Sequence, residues 1–77
     1  MKVKSFLKPF GRIRVHVHST SNKDDSVVCW SNELKYLPLG RKLEDKEVQK
    51  CELSRFQVLN DTLRGARITE GLDIEVK

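Results

Sequence analysis

The sequence predicts a mainly β fold, namely one small domain over residues 1–77 with four or five short antiparallel strands in a curled sheet or small barrel. Two stretches, residues 11–19 and 72–76, alternate apolar and polar side chains, which is typical of strands with one buried face. A chain of 77 residues is also too short for more than one domain. Since it contains only 4 Gly and 2 Pro, no low-complexity segment is indicated.

The strand at residues 11–19 is the clearest predicted element. Its apolar side chains alternate with basic or imidazole ones: Ile13, Val15 and Val17 against Arg12, Arg14, His16 and His18. Because successive side chains point to opposite faces of a sheet, one face is expected to be buried. The other face then presents both arginines and both histidines. We interpret this segment as a half-buried antiparallel strand.

The remaining segments of the first half are short. Residues 2–10 have the apolar spacing of a helix face, although Pro9 also allows an edge strand with a bend. Residues 20–25 are polar and predict a loop. Residues 26–31 predict an apolar strand antiparallel to the first, with Trp30 in the core.

Residues 42–64 allow two interpretations. Their apolar side chains fall on one side of a helical wheel, and Gly65 is suited to end a helix, so the domain would be α+β with one helix within 42–64. The rival interpretation is a strand over residues 47–53 that continues through residues 56–58 after a bulge. The charged side chains on the helix face favour the strand slightly for residues 47–53 and leave residues 54–64 open.

The C-terminal segment predicts two more strands, residues 66–69 and 72–76, with Gly71 in a turn between them. The polar positions of the last strand are acidic, Asp73 and Glu75. If this strand pairs with the first one, its acids neutralise part of the basic strand face.

The charge of the chain is distributed unevenly. Residues 1–23 carry +6 with no acidic residue, whereas residues 24–77 carry −2. Such asymmetry indicates an anionic partner, because each Lys or Arg placed against a phosphate releases condensed counterions. The plain alternative is a solvated basic face that serves solubility or meets an acidic protein.

Catalytic and cofactor motifs are missing from the sequence. It contains no glycine-rich phosphate-binding loop and no acid–base pair in an apolar setting. A zinc set could combine His16 and His18 with Cys29 and Cys51, but neither cysteine lies in a Cys-x₂₋₄-Cys pair. Buried free thiols are the ordinary outcome. We therefore predict no enzyme, no metal and no cofactor.

The compartment follows from the cysteines and the N-terminus. A small secreted domain usually carries more cysteines than the 2 present here. No signal peptide is expected, because Lys8, Arg12 and Arg14 interrupt any apolar stretch after the basic N-terminus. No run reaches the ~18 apolar residues of a membrane span. A cytoplasmic protein without membrane contact is expected.

These observations predict a small non-catalytic binding module without a small-molecule substrate. The leading hypothesis is binding of nucleic acid or a nucleoprotein through the basic N-terminal strand face, helped by an exposed aromatic side chain. The predicted contact residues are Lys2, Lys4, Lys8, Arg12, Arg14, His16, His18 and Tyr36.

The alternative hypothesis is a protein-binding inhibitor or adaptor that uses an exposed sheet edge or apolar patch on an acidic protein surface. In size, polarity and lack of catalytic motifs the chain is similar to small proteins of phages and mobile elements, including anti-CRISPR inhibitors. A homo-oligomer also fits so small a core.

Overall fold

The structure is a computed structural model that describes residues 1–59 and 66–77. In chain order its elements are helix α1 (Val3–Leu7), a 3₁₀ turn (Lys8–Phe10), strand β1 (Arg14–Ser19), strand β2 (Ser26–Trp30), a 3₁₀ helix (Ser31–Tyr36), helix α2 (Pro38–Leu43), strand β3 (Val48–Leu59) and strand β4 (Ala66–Val76). The four strands of these ranges form one sheet in the order β2-β1-β4-β3. The prediction of a small mainly β fold is confirmed.

The sheet is mixed and open, so the prediction of wholly antiparallel strands is wrong. Of the two predicted forms, a curled sheet or a small barrel, the barrel is excluded. Strand β1 runs antiparallel to β2 but parallel to β4, and β4 runs antiparallel to β3. Strands β2 and β3 remain as the two edges. The alternation in a sequence shows which side of a strand is buried, but it does not show which strand lies beside it or in which direction.

Helix α2 ends at Leu43, and β3 begins at Val48. The alternative of a helix within 42–64 is therefore wrong for residues 44–59, whereas the strand over residues 47–53 is confirmed apart from its first residue. Residues 60–64, together with Gly65, lie outside the described residues. Glu47 instead forms an isolated bridge to Lys2, and the N–H of Val48 donates to the carbonyl of Met1 (2.9 Å). These contacts attach the N-terminal segment to the start of β3.

Strand β4 continues through Gly71, where the sequence predicted a turn. A Cβ at this position would overlap the carbonyl oxygen of Arg14 and lie 2.8 Å from a ring carbon of Phe56. The absence of a side chain is thus required by the close approach of the β1 backbone and of the Phe56 ring, not by a turn.

The core lies between one face of the sheet and the helices. Val48 and Cys51 of β3 pack against this core as partly buried side chains. Its buried members come from β1, β2 and β4, from α1 and α2, and from the 3₁₀ helix: Val3, Leu7, Val15, Val17, Cys29, Leu34, Leu43, Leu72, Ile74 and Val76. Because the helices all contribute to this side, the opposite side of the sheet carries no helix of the described ranges. We call it the open face, and it bears Arg14, His16 and His18 of β1, Val28 and Trp30 of β2, Asp73 and Glu75 of β4, and Lys50, Glu52 and Phe56 of β3.

Strands β3 and β4 extend beyond the four-stranded part of the sheet. Strand β1 pairs with β4 only from Gly71 onward, whereas β3 pairs with β4 back to Ala66. Two apolar side chains of β3 and β4 are strongly exposed. Leu53, at 81%, pairs with Leu72 inside the four-stranded part, whereas Ile68, at 69%, lies in the two-stranded extension. None of the helices in residues 1–59 and 66–77 has the length and apolar content that a membrane span requires.

Candidate functional site

One end of the open face brings two arginines onto a tryptophan. Arg14 and Trp30 are opposite each other in the antiparallel pair of β1 and β2. The guanidinium carbon of Arg12 lies 4.2 Å from the centroid of the Trp30 ring, and that of Arg14 lies 5.4 Å away. Both distances are within the range of cation–π contacts. We call these three side chains the Arg–Trp cluster.

The sequence placed Trp30 in the core, and this is wrong. Strand β2 is apolar on both faces, so its alternation does not show by itself which side faces the helices. Val27 and Cys29 point into the core, and Trp30 is half-buried on the open face. The polar Ser26 shares the open face with Trp30 and was the one signal that could have identified this orientation.

Hydrogen bonds on both sides of the Arg–Trp cluster hold the backbone there. The hydroxyl of Ser31 donates to the carbonyl of Gly11 (2.7 Å) and accepts from the N–H of Ile13 (3.0 Å). The N–H of Trp30 donates to the carboxylate of Glu33 (3.0 Å). Gly11, at φ +64°, supplies the left-handed conformation that turns the chain from the 3₁₀ turn into β1. The cluster therefore lies on a fixed backbone.

The middle of the open face holds two histidines against one aspartate. The parallel register of β1 and β4 places His16 beside Asp73 and His18 beside Glu75. His16 Nδ1 lies 3.3 Å from Asp73 Oδ2, and His18 Nε2 lies 2.6 Å from Asp73 Oδ1. The two imidazoles stack with centroids 4.8 Å apart. Asp73 therefore lies against part of the basic face, as the sequence suggested it could.

Acidic side chains continue from Asp73 to the β3 edge. A shallow cavity of about 160 Å³ is lined by His18, Lys50, Glu52, Asp73 and Glu75. Lys50 Nζ lies 3.0 Å from Glu52 Oε1. The hydrogen bond and charge of Glu52, with smaller contributions from Glu75 and Asp73, raise the pKa of Lys50. This part of the open face therefore carries three carboxylates against one lysine, in contrast to the Arg–Trp cluster.

The predicted contact residues Lys2, Lys4 and Lys8 belong to the N-terminal segment around α1. Because α1 packs Val3 and Leu7 into the core, this segment lies on the side of the sheet that carries the helices. Lys2 precedes α1, and Lys4 Nζ lies 2.8 Å from Asp45 Oδ1. This pair raises the pKa of Lys4 and lowers that of Asp45. Lys2, Lys4 and Lys8 thus do not extend the strand face of Arg12 and Arg14 in the way the sequence suggested.

Lys4 and Lys8 instead border a groove of about 280 Å³ between the N-terminal segment and the 3₁₀ helix. Its lining also includes Lys35, and it reaches Gly11 and Ser31, which adjoin the Arg–Trp cluster in the chain. Tyr36 is 75% exposed, as expected, and Lys35 Nζ lies 5.1 Å from its ring centroid. A contact role for Tyr36 stays a prediction.

The cysteines do not join the histidines. Cys29 and Cys51 are free and point toward the core side of the sheet, whereas His16 and His18 lie on the open face, so the Cys₂His₂ set considered from the sequence cannot assemble. Burial, aided by the charge of Glu33, raises the pKa of the Cys29 thiol to about 11. At neutral pH this thiol is protonated and a poor nucleophile.

Comparison of the chain with protein families, with curated proteins and with solved structures found no match. The functional proposals therefore depend on the geometry of the described residues.

Proposed function

We propose that this protein is a small non-catalytic module that binds nucleic acid, or a nucleoprotein, at the Arg–Trp end of its open face. The observation that carries the proposal is the contact of Arg12 and Arg14 with the half-buried Trp30 ring, at 4.2 and 5.4 Å. Arginines bind phosphates through paired N–H groups, and indole or guanidinium planes stack on bases. The cluster combines both kinds of contact.

The electrostatics of the cluster support this location over the rest of the open face. The region around Asp73 carries acidic side chains and would repel phosphates. Arg12 and Arg14, in contrast, contact an uncharged ring, and Arg14 Nε is buried without a hydrogen-bond partner in the described structure. Lys8 and Lys35, together with Glu44, border the groove that reaches Gly11 and Ser31, and a contact role for these lysines stays a prediction. His16 and His18, which contact Asp73, are expected to contribute less.

Binding is tested by titrating the protein with short single-stranded and duplex oligonucleotides at several salt concentrations. Because Trp30 is the one tryptophan of the chain, its fluorescence reports directly on the proposed contact. We expect quenching of this fluorescence and an affinity that falls as salt rises.

The Arg12→Ala/Arg14→Ala double variant should bind at least about 10-fold more weakly and reduce the slope of log affinity against log salt by about 1.5. Arg41→Ala, which removes an exposed arginine of α2, is the matched control and should bind like the unchanged protein. Affinity that does not depend on salt, or equal effects of the double variant and the control, would show that phosphates are not bound here.

The alternative function, a protein-binding inhibitor or adaptor, is supported by the exposure of Leu53 and Ile68 on the β3–β4 hairpin. Both lie on the side of these strands that faces the core elsewhere. Scattered exposed apolar residues are common, so this support is weaker. If Leu53→Ser/Ile68→Ser, but not the arginine double variant, abolished association with a nucleoprotein, protein contacts at this hairpin would be the better explanation.

A further inference from the structure

We propose that His16, His18 and Asp73 form a binding site for one Zn²⁺ ion per chain on the open face of the sheet. One ligand atom from each side chain lies within 4.8 Å of those of the other two. The proposal does not depend on nucleic-acid binding, because Arg12, Arg14 and Trp30 take no part in it.

The fold brings these three groups together through pairing of distant segments. His16 and His18 are two residues apart on β1 and therefore point to the same face. The parallel pairing of β1 with β4 then places Asp73 directly beside His16. Both histidines direct a ring nitrogen at a different oxygen of the one carboxylate, at 3.3 and 2.6 Å. The three donor groups thus lie close together on the open face.

The distances suit zinc after small side-chain movements. A tetrahedral Zn²⁺ with bonds of about 2.0–2.1 Å holds its ligand atoms about 3.3 Å apart. The two imidazole nitrogens lie 3.3 and 2.6 Å from different oxygens of Asp73, and the three ligand atoms lie within 4.8 Å of one another. Zinc binding therefore requires side-chain movements of up to about 1.5 Å. The three side chains are 31%, 30% and 37% exposed. They can therefore rotate without displacing the strands.

The donor set and its surroundings favour zinc over other cations. Two imidazoles and one carboxylate are typical zinc ligands, whereas Mg²⁺ and Ca²⁺ prefer oxygen donors alone. Glu52 and Glu75 lie beside the cluster, and Lys50 is the one lysine or arginine lining the adjoining cavity. The excess of carboxylates stabilises a bound cation.

The cavity of about 160 Å³ next to His18 and Asp73 has room for a water molecule as the fourth ligand. Three protein ligands with one open position are the arrangement of accessible zinc sites, as opposed to closed structural ones. Because Cys29 and Cys51 point to the other side of the sheet, no thiolate completes the set.

The test is calorimetric titration of the tag-free protein with ZnCl₂ alone. We expect one Zn²⁺ per chain, and at least about 10-fold weaker binding by His18→Gln and by Asp73→Asn. Cys51→Ser and Asp45→Asn are matched controls that remove a thiol and an exposed carboxylate away from the site. Both should bind Zn²⁺ like the unchanged protein.

Two further readouts keep the test independent of how well each variant folds. In the unchanged protein, the imidazole nitrogen resonances of His16 and His18 should shift on Zn²⁺ addition, and Co²⁺ should bind without the thiolate charge-transfer absorption that cysteine ligands produce. The proposal is overturned if the protein shows no saturable Zn²⁺ binding, or if the histidine resonances do not shift. Full Zn²⁺ binding by the His18→Gln/Asp73→Asn double variant, or loss of Zn²⁺ binding in Cys51→Ser, would overturn it as well.

Discussion

Gly71 is a residue at which the structure leaves no room for a side chain. It lies in the interior of β4, where glycine is ordinarily unfavourable. The β1 backbone and the Phe56 ring occupy the space of a side chain there, so any Cβ has to push β1 and β4 apart. The pairing that is lost would include Arg14 opposite Gly71, which positions one member of the Arg–Trp cluster.

We expect Gly71→Ala to lower the free energy of unfolding by about 2–3 kcal/mol, because overpacking shifts two central strands. Ser54→Ala, on the β3 residue that pairs with Gly71, should change it by less than about 1 kcal/mol. Urea unfolding followed by Trp30 fluorescence measures both. Equal stability of the two variants would contradict the close approach of the strands.

Cys29 gives the fold an alkaline pH dependence. Burial raises the pKa of its thiol from 9.0 to about 11, so the unfolded chain loses this proton at lower pH than the native one. The native state then binds more protons between these values, and stability falls as the pH rises from about 9 toward 11. Below that range the thiol is protonated in both the native and the unfolded state, so its contribution to stability does not change with pH.

In urea unfolding at a series of pH values, Cys29→Ala should flatten this alkaline decline, because the titrating group is gone. Cys51→Ser serves as the comparison, since Cys51 is only partly buried and its removal should leave most of the decline in place. An identical decline in Cys29→Ala and in the unchanged protein would mean that Cys29 is not its source.

At the scale of elements, one ion pair connects the loop after β1 to helix α2. Lys42 Nζ lies 2.7 Å from Asp25 Oδ2, and the Asp25 side chain is only 12% exposed. The carbonyl of Asp25 also accepts the N–H of Ser19 (2.9 Å), which fixes the loop against the end of β1. The pair thus holds α2 over the β1–β2 side of the core.

Asp25→Ala should cost about 1–3 kcal/mol of stability, because it leaves Lys42 without its partner and removes a largely buried polar group. The adjacent Asp24 is exposed, so Asp24→Ala should stay within about 0.5 kcal/mol. Thermal unfolding by circular dichroism compares the two. If both variants were equally stable, the ion pair would contribute nothing to the attachment of α2.

At the scale of the whole molecule, the four-stranded part of the sheet is more extensively paired and packed than the hairpin end, the stretch of β3 and β4 that β1 does not reach. The core residues Val15, Val17 and Ile74 are 0% exposed, and β4 is paired on both sides there. On the N-terminal side of Gly71, β4 has only β3 as a neighbour, and the Ile68 side chain is exposed to solvent. A two-stranded ribbon with little apolar burial is only marginally stable by itself.

We therefore expect the backbone amides of residues 55–57 and 67–69 to exchange with deuterium well before those of β1, because local opening of the hairpin end requires less free energy than global unfolding. Hydrogen–deuterium exchange with mass spectrometry measures this directly. Equal protection of both regions would indicate that the hairpin end is covered, for example by a second copy of the chain.

The sequence predicted the local features well. The strict alternation of residues 11–19 identified β1 and its buried positions, and the alternation of residues 72–76 identified the buried half of β4. It also located the excess of positive charge. It did not decide between helix and strand for residues 42–64, because short apolar runs suit both. It placed Trp30 on the wrong face because β2 is apolar on both sides.

What the sequence determined by itself is therefore the burial pattern of single strands, the +6 charge of residues 1–23 and the absence of catalytic motifs. Only the tertiary structure decided that β4 lies parallel to β1, which brings Asp73 to His16 and His18, and that Trp30 meets Arg12 and Arg14. The physical reason is that side-chain alternation is a local property of one strand, whereas the choice of neighbouring strand depends on the packing of the whole core.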